Sequence, residues 1–318
     1  MKYAIGIEIG GTKLQAGVGL RNQRLLSRAR ATVAPGAGAQ GILGALPGLV
    51  DQALHEAGLG MDAIQAIGIG FGGPVDSQQG RTLTSHQIEG WDQFPLTEWA
   101  QERWDKPVLL QNDASIAGYA EAMIGAGQGY PRVFYLTIGS GIGGGWIVNG
   151  YLDDGQGRGA AEIGHTWAPD PDTGEPEKLE HIASGWAIGA RAQEALEEGE
   201  TSILRQRCGG NLEQVDARMV YQAAEEDDLL AAALLDETTT ALAIGIGNMI
   251  TLLHPNIVVI GGGVSLMGAR FWQPLRQKLQ RYAFHLFSES FEIKPAALGE
   301  EVVVAGAALW AQSAEEID

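Results

Sequence analysis

The chain has one cysteine, Cys208, in 318 residues. A single thiol cannot close an intrachain disulfide, and zinc sites built from three or four cysteines are excluded with it. Beside Gly209 and Gly210 it is most simply an inert thiol in a loop or at a helix end. Positive charge is scarce as well: 21 Lys and Arg stand against 39 Asp and Glu, a net charge of −18, and only six of the basic residues are lysines. A field of that sign repels phosphate backbones and anionic membrane surfaces before any local contact forms, so neither nucleic acid nor membrane is expected as a partner. Long apolar runs are missing too. The longest, 241–253, is interrupted by Asn248 and stopped by His254-Pro255, too short to cross a bilayer. The opening MKYAIGIEIG carries Glu8 inside its apolar stretch and no small-residue cleavage site, so it is no secretory signal, and a cytoplasmic location is expected.

What is abundant is glycine. The 46 glycines make up about 14% of the chain, against roughly 7% ordinarily. They follow no three-residue period and fill no low-complexity tract, which sets aside collagen-like and disordered readings. With 45% hydrophobic residues and this length the chain can bury a sizeable core, and about two domains are expected.

The glycines cluster at turns. Residues 3–9 and 14–20 have the pattern of two strands flanking Gly10-Gly11-Thr12-Lys13. A helix follows over 41–57, where Ile42, Leu43, Leu46, Leu49, Val50 and Leu54 share one face. The strand 63–71 runs into Gly72-Gly73-Pro74, and the strand 107–110 leads through Asn112-Asp113 into a helix over 114–126. The pattern then restarts with a strand at 133–138, a glycine turn at 139–145 and a return strand at 146–149. YAIGIEIGGTKLQAGVG and VFYLTIGSGIGGGWIVNG are both apolar strand, glycine turn, apolar strand, which suggests a duplicated domain. A buried helix at 241–253, a strand at 257–260, the turn Gly261-Gly262-Gly263 and a closing helix at 305–312 complete an α/β pattern.

Gly139 to Gly144 satisfies GxGxxG, but a dinucleotide site needs a helix after the turn, and Trp146-Ile147-Val148 is strand-like. No GxxxxGK[ST] is present. Glycine lets successive backbone N–H groups converge on phosphate oxygens with no side chain in the way, so the paired hairpins are either plain tight turns or two halves of a nucleotide site.

IGIEIGGTKLQAGVG, GIGFGGPVD, LQNDASIAGYAEA, LTIGSGIGGGWIVNG, AAEIGH, LEHIASGW and NIVVIGGGVS stand here in the order found in the ROK family of sugar kinases and sugar-responsive repressors, and the chain resembles that family from about residue 4 to residue 311. The resemblance implies the actin/hexokinase-like ATPase fold, an α/β architecture of two RNase-H-like lobes around a central cleft. The first lobe would take 1–114 with a closing helix at about 304–318, and the second 115–303. It implies ATP as phosphoryl donor, with Gly10, Gly11, Thr12 and Lys13 as the first phosphate loop, Thr137, Gly139, Ser140 and Gly141 as the second, and Gly261, Gly262 and Gly263 along the adenosine. Glu8 departs from the family's usual Asp, which is associated with Mg²⁺ through water; Glu keeps the charge and reaches one methylene further.

On the acceptor side the resemblance makes Asp113 the general base and Asn112 a sugar ligand beside it. Asp before Ala114-Ser115-Ile116 is equally a good helix N-cap. A polyol is held by carboxylates and amides that take vicinal hydroxyls in pairs, and Glu162, His165 and Glu180 match family sugar ligands. Gly73 and the loop through Ser85, Gln87 and Trp91 are expected to close over the sugar, with Gln87 replacing the usual Asn. Many family members carry a cysteine zinc site between the equivalents of His165 and Glu180; TWAPDPDTGEPEK stands there instead, so no zinc is expected, and Asp170, Asp172, Glu175 and Glu177 have the pattern of a flexible acidic loop.

The expectation is an ATP- and Mg²⁺-dependent hexose kinase of glucokinase type, with a homodimer implied by the family alone. The alternatives are a kinase for an N-acetylated hexosamine or one using a polyphosphate donor, and a non-catalytic sugar-binding or regulatory protein. A sugar-responsive repressor is not expected, because the first phosphate loop begins within ten residues of Met1 and leaves no room for a DNA-reading domain before it.

Overall fold

A computed structural model of the chain describes residues 3–20, 23–34, 36–84, 89–287 and 289–313. In chain order the elements are β1 (Tyr3–Ile9), β2 (Lys13–Leu20), β3 (Ser27–Thr32), α1 (Gly38–Ala57), β4 (Ile64–Phe71), β5 (Val75–Asp76), β6 (Arg81–Thr82), α2 (Leu96–Trp104), β7 (Val108–Asn112), α3 (Asp113–Ile124), β8 (Arg132–Ile138), β9 (Ile142–Val148) and β10 (Tyr151–Asp153). They continue with β11 (Trp167–Pro169), β12 (Pro176–Lys178), α4 (Leu179–Ala183), α5 (Gly185–Glu197), α6 (Leu204–Arg207), α7 (Ala217–Glu225), α8 (Leu229–Leu253), β13 (Ile257–Gly261), α9 (Gly268–Tyr282), β14 (Glu292–Pro295) and α10 (Val302–Gln312).

Two five-stranded sheets carry the same order, β3-β2-β1-β4-β7 and β10-β9-β8-β13-β14, as the repeated strand–glycine–strand sequences suggest. The contacts group into two units: Met1–Tyr135, Gly145–Ala161 and Ala296–Asp318 form the first, Leu136–Gly144 and Glu162–Pro295 the second. The chain passes from one to the other inside β8 and β9, after Ala161 and after Pro295.

In the first unit β1 pairs antiparallel with β2 and parallel with β4, and β4 pairs parallel with β7. Ile9 lies opposite Phe71 and Phe71 opposite Asn112, so three parallel strands end at one level. One face of the sheet packs Ile5, Ile7, Ile9, Ile67 and Ile69 with the α1 stripe Ile42, Leu46, Leu49 and Val50. The other face receives α10, and here glycine is a packing requirement: a Cβ at Gly6 would collide with the Val304 carbonyl, and one at Gly68 with that of Ala307. Helix α3 joins this unit by lying against α10, close enough that a Cβ at Gly306 would strike the Ile116 carbonyl.

Three expectations change. The return strand after the second glycine turn starts at Ile142, so the turn is short and Gly143, Gly144 and Gly145 are strand residues. At Gly145 a Cβ would press on the backbone of Ala114 and Ser115, which is why glycine runs on into the strand. Strand β3 was not anticipated: SRARAT buries only small residues, Ser27 and Ala29, and its alternation is faint. The apolar helix expected at 241–253 begins at Leu229, and at 25 residues it is long and apolar enough to cross a membrane by length and composition. More than half of that apolar window is buried inside the second unit, where α8 packs against α4, α5, α7 and α9.

Candidate active site

The level ends of β1, β4 and β7 deliver three loops to one edge of the first sheet, the carboxyl ends of parallel strands where α/β proteins bind ligands. Behind β1 the turn closes by a 3.1 Å hydrogen bond from Gly10 N–H to the Lys13 carbonyl. Behind β4, Gly72 N–H donates to the Ile9 carbonyl at 2.8 Å, which ties the second loop to the first. Behind β7, Asn112 caps α3: its Oδ1 accepts from Ala114 N–H at 2.9 Å and Ser115 N–H at 3.2 Å. Asp113 is therefore a first-turn residue and not the N-cap. Its Oδ1 accepts from Ala114 N–H at 2.8 Å, and its Oδ2 would lie 3.4 Å from a Cβ at Gly72. The Asp113 carboxylate thus stands beside the β4 loop.

Asn112 Nδ2 donates to the Gly73 carbonyl at 3.1 Å, which ties together two of the expected sugar-side residues. With both Oδ1 lone pairs used, Asn112 has one amide N–H left, so it can meet a hydroxyl only as donor. Sequence reasoning missed what braces this corner. Gln111, 1% exposed, accepts Asn112 N–H through Oε1 at 2.8 Å and reaches Asp154 Oδ2 at 3.3 Å through Nε2, and Ser77 Oγ donates to the same Asp154 oxygen at 2.7 Å. Asp154 lies far along the chain in an unremarkable loop, and no sequence signal connects it to Gln111. Trp91 is buried between Phe71 and Phe94, at ring distances of 5.2 and 5.5 Å, so it anchors its loop in the core and does not cover an opening. Ser85 and Gln87 lie outside the described residues.

Glu8 is buried, with Oε1 3.2 Å from Lys13 Nζ and Oε2 accepting from Gln15 Nε2 at 2.6 Å. Burial raises its pKa against the opposing pull of the lysine. Each carboxylate oxygen takes one protein partner and has a lone pair left, which suits a divalent ion that brings phosphate oxygens and water as its other ligands. Among the described residues no three His, Cys, Asp or Glu side chains gather into a metal cage. Thr12 is exposed, and its carbonyl accepts from Val33 N–H at 3.0 Å.

In the second unit Thr137 is the last residue but one of β8, before the turn 139–141, which closes by a 2.9 Å bond from Gly139 N–H to the Gly141 carbonyl and leaves Ser140 exposed. Gly262, at φ +82°, packs so tightly on Ile138 that no side chain fits, which brings Gly261, Gly262 and Gly263 to the root of that turn. Three of the acceptor candidates, Glu162, His165 and Glu180, belong to this same unit. His165 N–H donates to the Glu162 carbonyl at 3.1 Å, and the hairpin β11–β12 is zipped at its base by Leu179 N–H to the Thr166 carbonyl at 2.8 Å, setting His165 and Glu180 at its two feet. Glu162 has its pKa raised, first by desolvation, with the Glu180 charge adding and His165 opposing. At the hairpin's tip Asp170 Oδ1 accepts from the N–H groups of Asp172 and Thr173 and from Thr173 Oγ1, so the acidic stretch is an ordered turn where a flexible loop was expected.

Sheets of matching order, each with a glycine turn at its leading hairpin, define the actin/hexokinase-like ATPase fold. The comparisons agree. A ROK hexokinase from Thermus thermophilus superposes with a TM-score of 0.83 at 31% identity, covering 99% of this chain and all of that one. A ROK family glucokinase from Streptomyces griseus, solved with glucose and AMPPNP, superposes at 0.82 and 30% over 98% and 99%. In sequence a glucokinase from Thermotoga maritima is 30% identical over 308 residues, 96% of this chain and 95% of its own. The ROK family pattern matches residues 4–314, and the chain belongs to that family.

Proposed function

We infer that the chain is an ATP-dependent hexose kinase of glucokinase type, with Asp113 as general base. The observation that supports this is the position of Asp113: it is a first-turn residue of α3 behind Asn112, the N-cap, which sets its carboxylate beside Gly72 at the ligand edge of the sheet. The relatives named above are a hexokinase and two glucokinases matched over 95% or more of their length, one of them solved with glucose and AMPPNP.

In this reading Asp113 accepts the proton of a primary sugar hydroxyl while its oxygen bonds to the γ-phosphorus and the bond to the β-phosphate oxygen breaks, leaving ADP. Asn112, Gly73, Glu162, His165 and Glu180 bind the sugar; Glu162 and Glu180 accept from hydroxyls and Asn112 donates. The N–H groups of Gly10, Gly11, Thr12, Gly139, Ser140 and Gly141 meet phosphate oxygens, with Lys13 and Thr137 beside them, and Gly261, Gly262 and Gly263 border the adenosine. Mg²⁺ entering with ATP would be held on the protein side by Glu8 and would neutralise phosphate charge. Zinc has no part in the proposal. We place the enzyme in the cytoplasm as a homodimer, which light scattering against a protomer mass of 33.6 kDa tests.

Purified protein with Mg-ATP and a panel of hexoses, N-acetylhexosamines and their non-phosphorylatable analogues decides the activity. ADP release dependent on glucose or a close hexose is expected. No ADP with any sugar, or full activity in Asp113→Ala, overturns the proposal.

A further inference from the structure

The short segment that carries Glu180 also grips the glycine turn 139–141 at both ends. Glu180 Oε2 accepts from Ile142 N–H at 2.7 Å, just after the turn. Gly185 N–H donates to the Gly139 carbonyl at 2.7 Å, at its start. Between these points the segment is stiff. Ile182, Ala183 and Ser184 are buried, Ser184 N–H donates to the Glu180 carbonyl at 3.2 Å, and Ser184 Oγ caps α5 by accepting from Ala187 N–H at 3.1 Å. The contact is close: a Cβ at Gly141 would have to displace the Glu180 carboxylate. An ionised carboxylate on a backbone N–H is among the stronger hydrogen bonds available to a protein.

We propose that Glu180 is a positioning residue for the turn 139–141 as well as a sugar ligand, so that one carboxylate couples sugar affinity to nucleotide affinity. The proposal rests on the kinase reading, which assigns the turn to phosphate and Glu180 to a sugar hydroxyl. When Oε1 takes a hydroxyl, the side chain is fixed in the rotamer that Oε2 needs to hold Ile142 N–H. The turn is then ordered before phosphate arrives. Coupling of this kind is reciprocal: whatever displaces the turn must weaken sugar binding even with no nucleotide present.

Glucose is the probe, titrated by calorimetry into nucleotide-free protein. Gly141→Ala is expected to raise the glucose Kd about fivefold or more, within the usual range of such coupling. Gly139→Ala lies on the same turn, but its Cβ meets nothing within 4 Å, and it should leave the glucose Kd within about twofold. Steady-state kinetics supply a second arm. Glu180→Ala is expected to raise KM for both glucose and ATP. Glu180→Gln, whose amide oxygen still accepts from Ile142 N–H, should raise the glucose KM and spare the ATP KM. An unchanged glucose Kd in Gly141→Ala, or an unchanged ATP KM in Glu180→Ala, overturns the coupling. Should Gly141→Ala fail to fold, the Glu180 pair decides alone. A wild-type protein that neither binds glucose nor releases ADP would overturn the kinase reading itself, a result distinct from an active enzyme with independent KM values.

Discussion

Asn112 and Asp113 are adjacent polar residues at a helix start, and the backbone assigns them different work. Asn112 has extended backbone angles and accepts from the N–H groups of Ala114 and Ser115, while Asp113 is already helical and shares only the Ala114 N–H. Asp113→Ala should therefore lower kcat/KM by roughly 10²–10⁴ with a smaller loss of stability than Asn112→Ala, which removes the N-cap and should cost about 1 kcal/mol. ADP release and thermal melts on both variants check the split, and a large loss of stability in Asp113→Ala would contradict it. Glu162 yields a pH prediction. Its raised pKa means that the folded protein holds this proton more tightly than the unfolded chain, so between the ordinary and the raised values stability falls as pH rises. Glu162→Gln should flatten that part of the stability profile. A protonated carboxyl keeps one carbonyl acceptor but loses its charge and turns its other oxygen into a donor, so the wild-type glucose KM should climb on acidification at a pH above the ordinary carboxylate range. The variant should lose that limb; an identical profile in Glu162→Gln would rule it out. At this scale Asp113, Glu162, His165 and Glu180 could be nominated from the sequence because short motifs surround them. The brace Gln111–Asp154–Ser77 was not, since hydrogen bonds between residues 43 and 77 positions apart leave no periodic trace.

Among the elements, glycine separates into two kinds that sequence alone does not distinguish. Gly6 faces α10 across a gap that fits no side chain, so Gly6→Ala must push the helix off the sheet, at a cost of about 3 kcal/mol or more. Gly44 is exposed on α1, and a Cβ there meets nothing. Gly44→Ala should stabilise by about 0.5–1 kcal/mol through helix propensity. Urea titrations measure both, and equal effects would refute the distinction. Helix α1 and strands β1, β2 and β4 were readable because apolar spacing and chain geometry coincide there. Strand β3 was not, because an edge strand next to β2 needs only small residues on its covered face. The start of α8 was obscured by Asp236 and Glu237, which the helix carries alongside buried Leu234, Leu235 and Thr238.

For the whole molecule, the net charge of −18 opposes the approach of an anionic nucleotide and is indifferent to a neutral sugar. Between about 50 and 200 mM monovalent salt the KM for ATP should fall modestly while the KM for glucose stays level, because screening removes long-range repulsion and leaves short contacts at the turns. A steep rise in the ATP KM over that range would show that local cationic attraction outweighs the overall field. The sequence by itself determined the α/β class, the doubled hairpin, the family and most candidate ligands, since each resides in a contiguous motif whose spacing is set by backbone geometry. Only the tertiary structure decided that Asn112 and not Asp113 is the N-cap of α3, that Trp91 belongs to the core, that the glycines of β1 and β4 serve a helix returning from the far end of the chain, and that Glu180 accepts from Ile142 N–H beside the turn 139–141. Those outcomes depend on which distant atoms compete for the same space and the same hydrogen bond, and that competition exists only once the chain has folded.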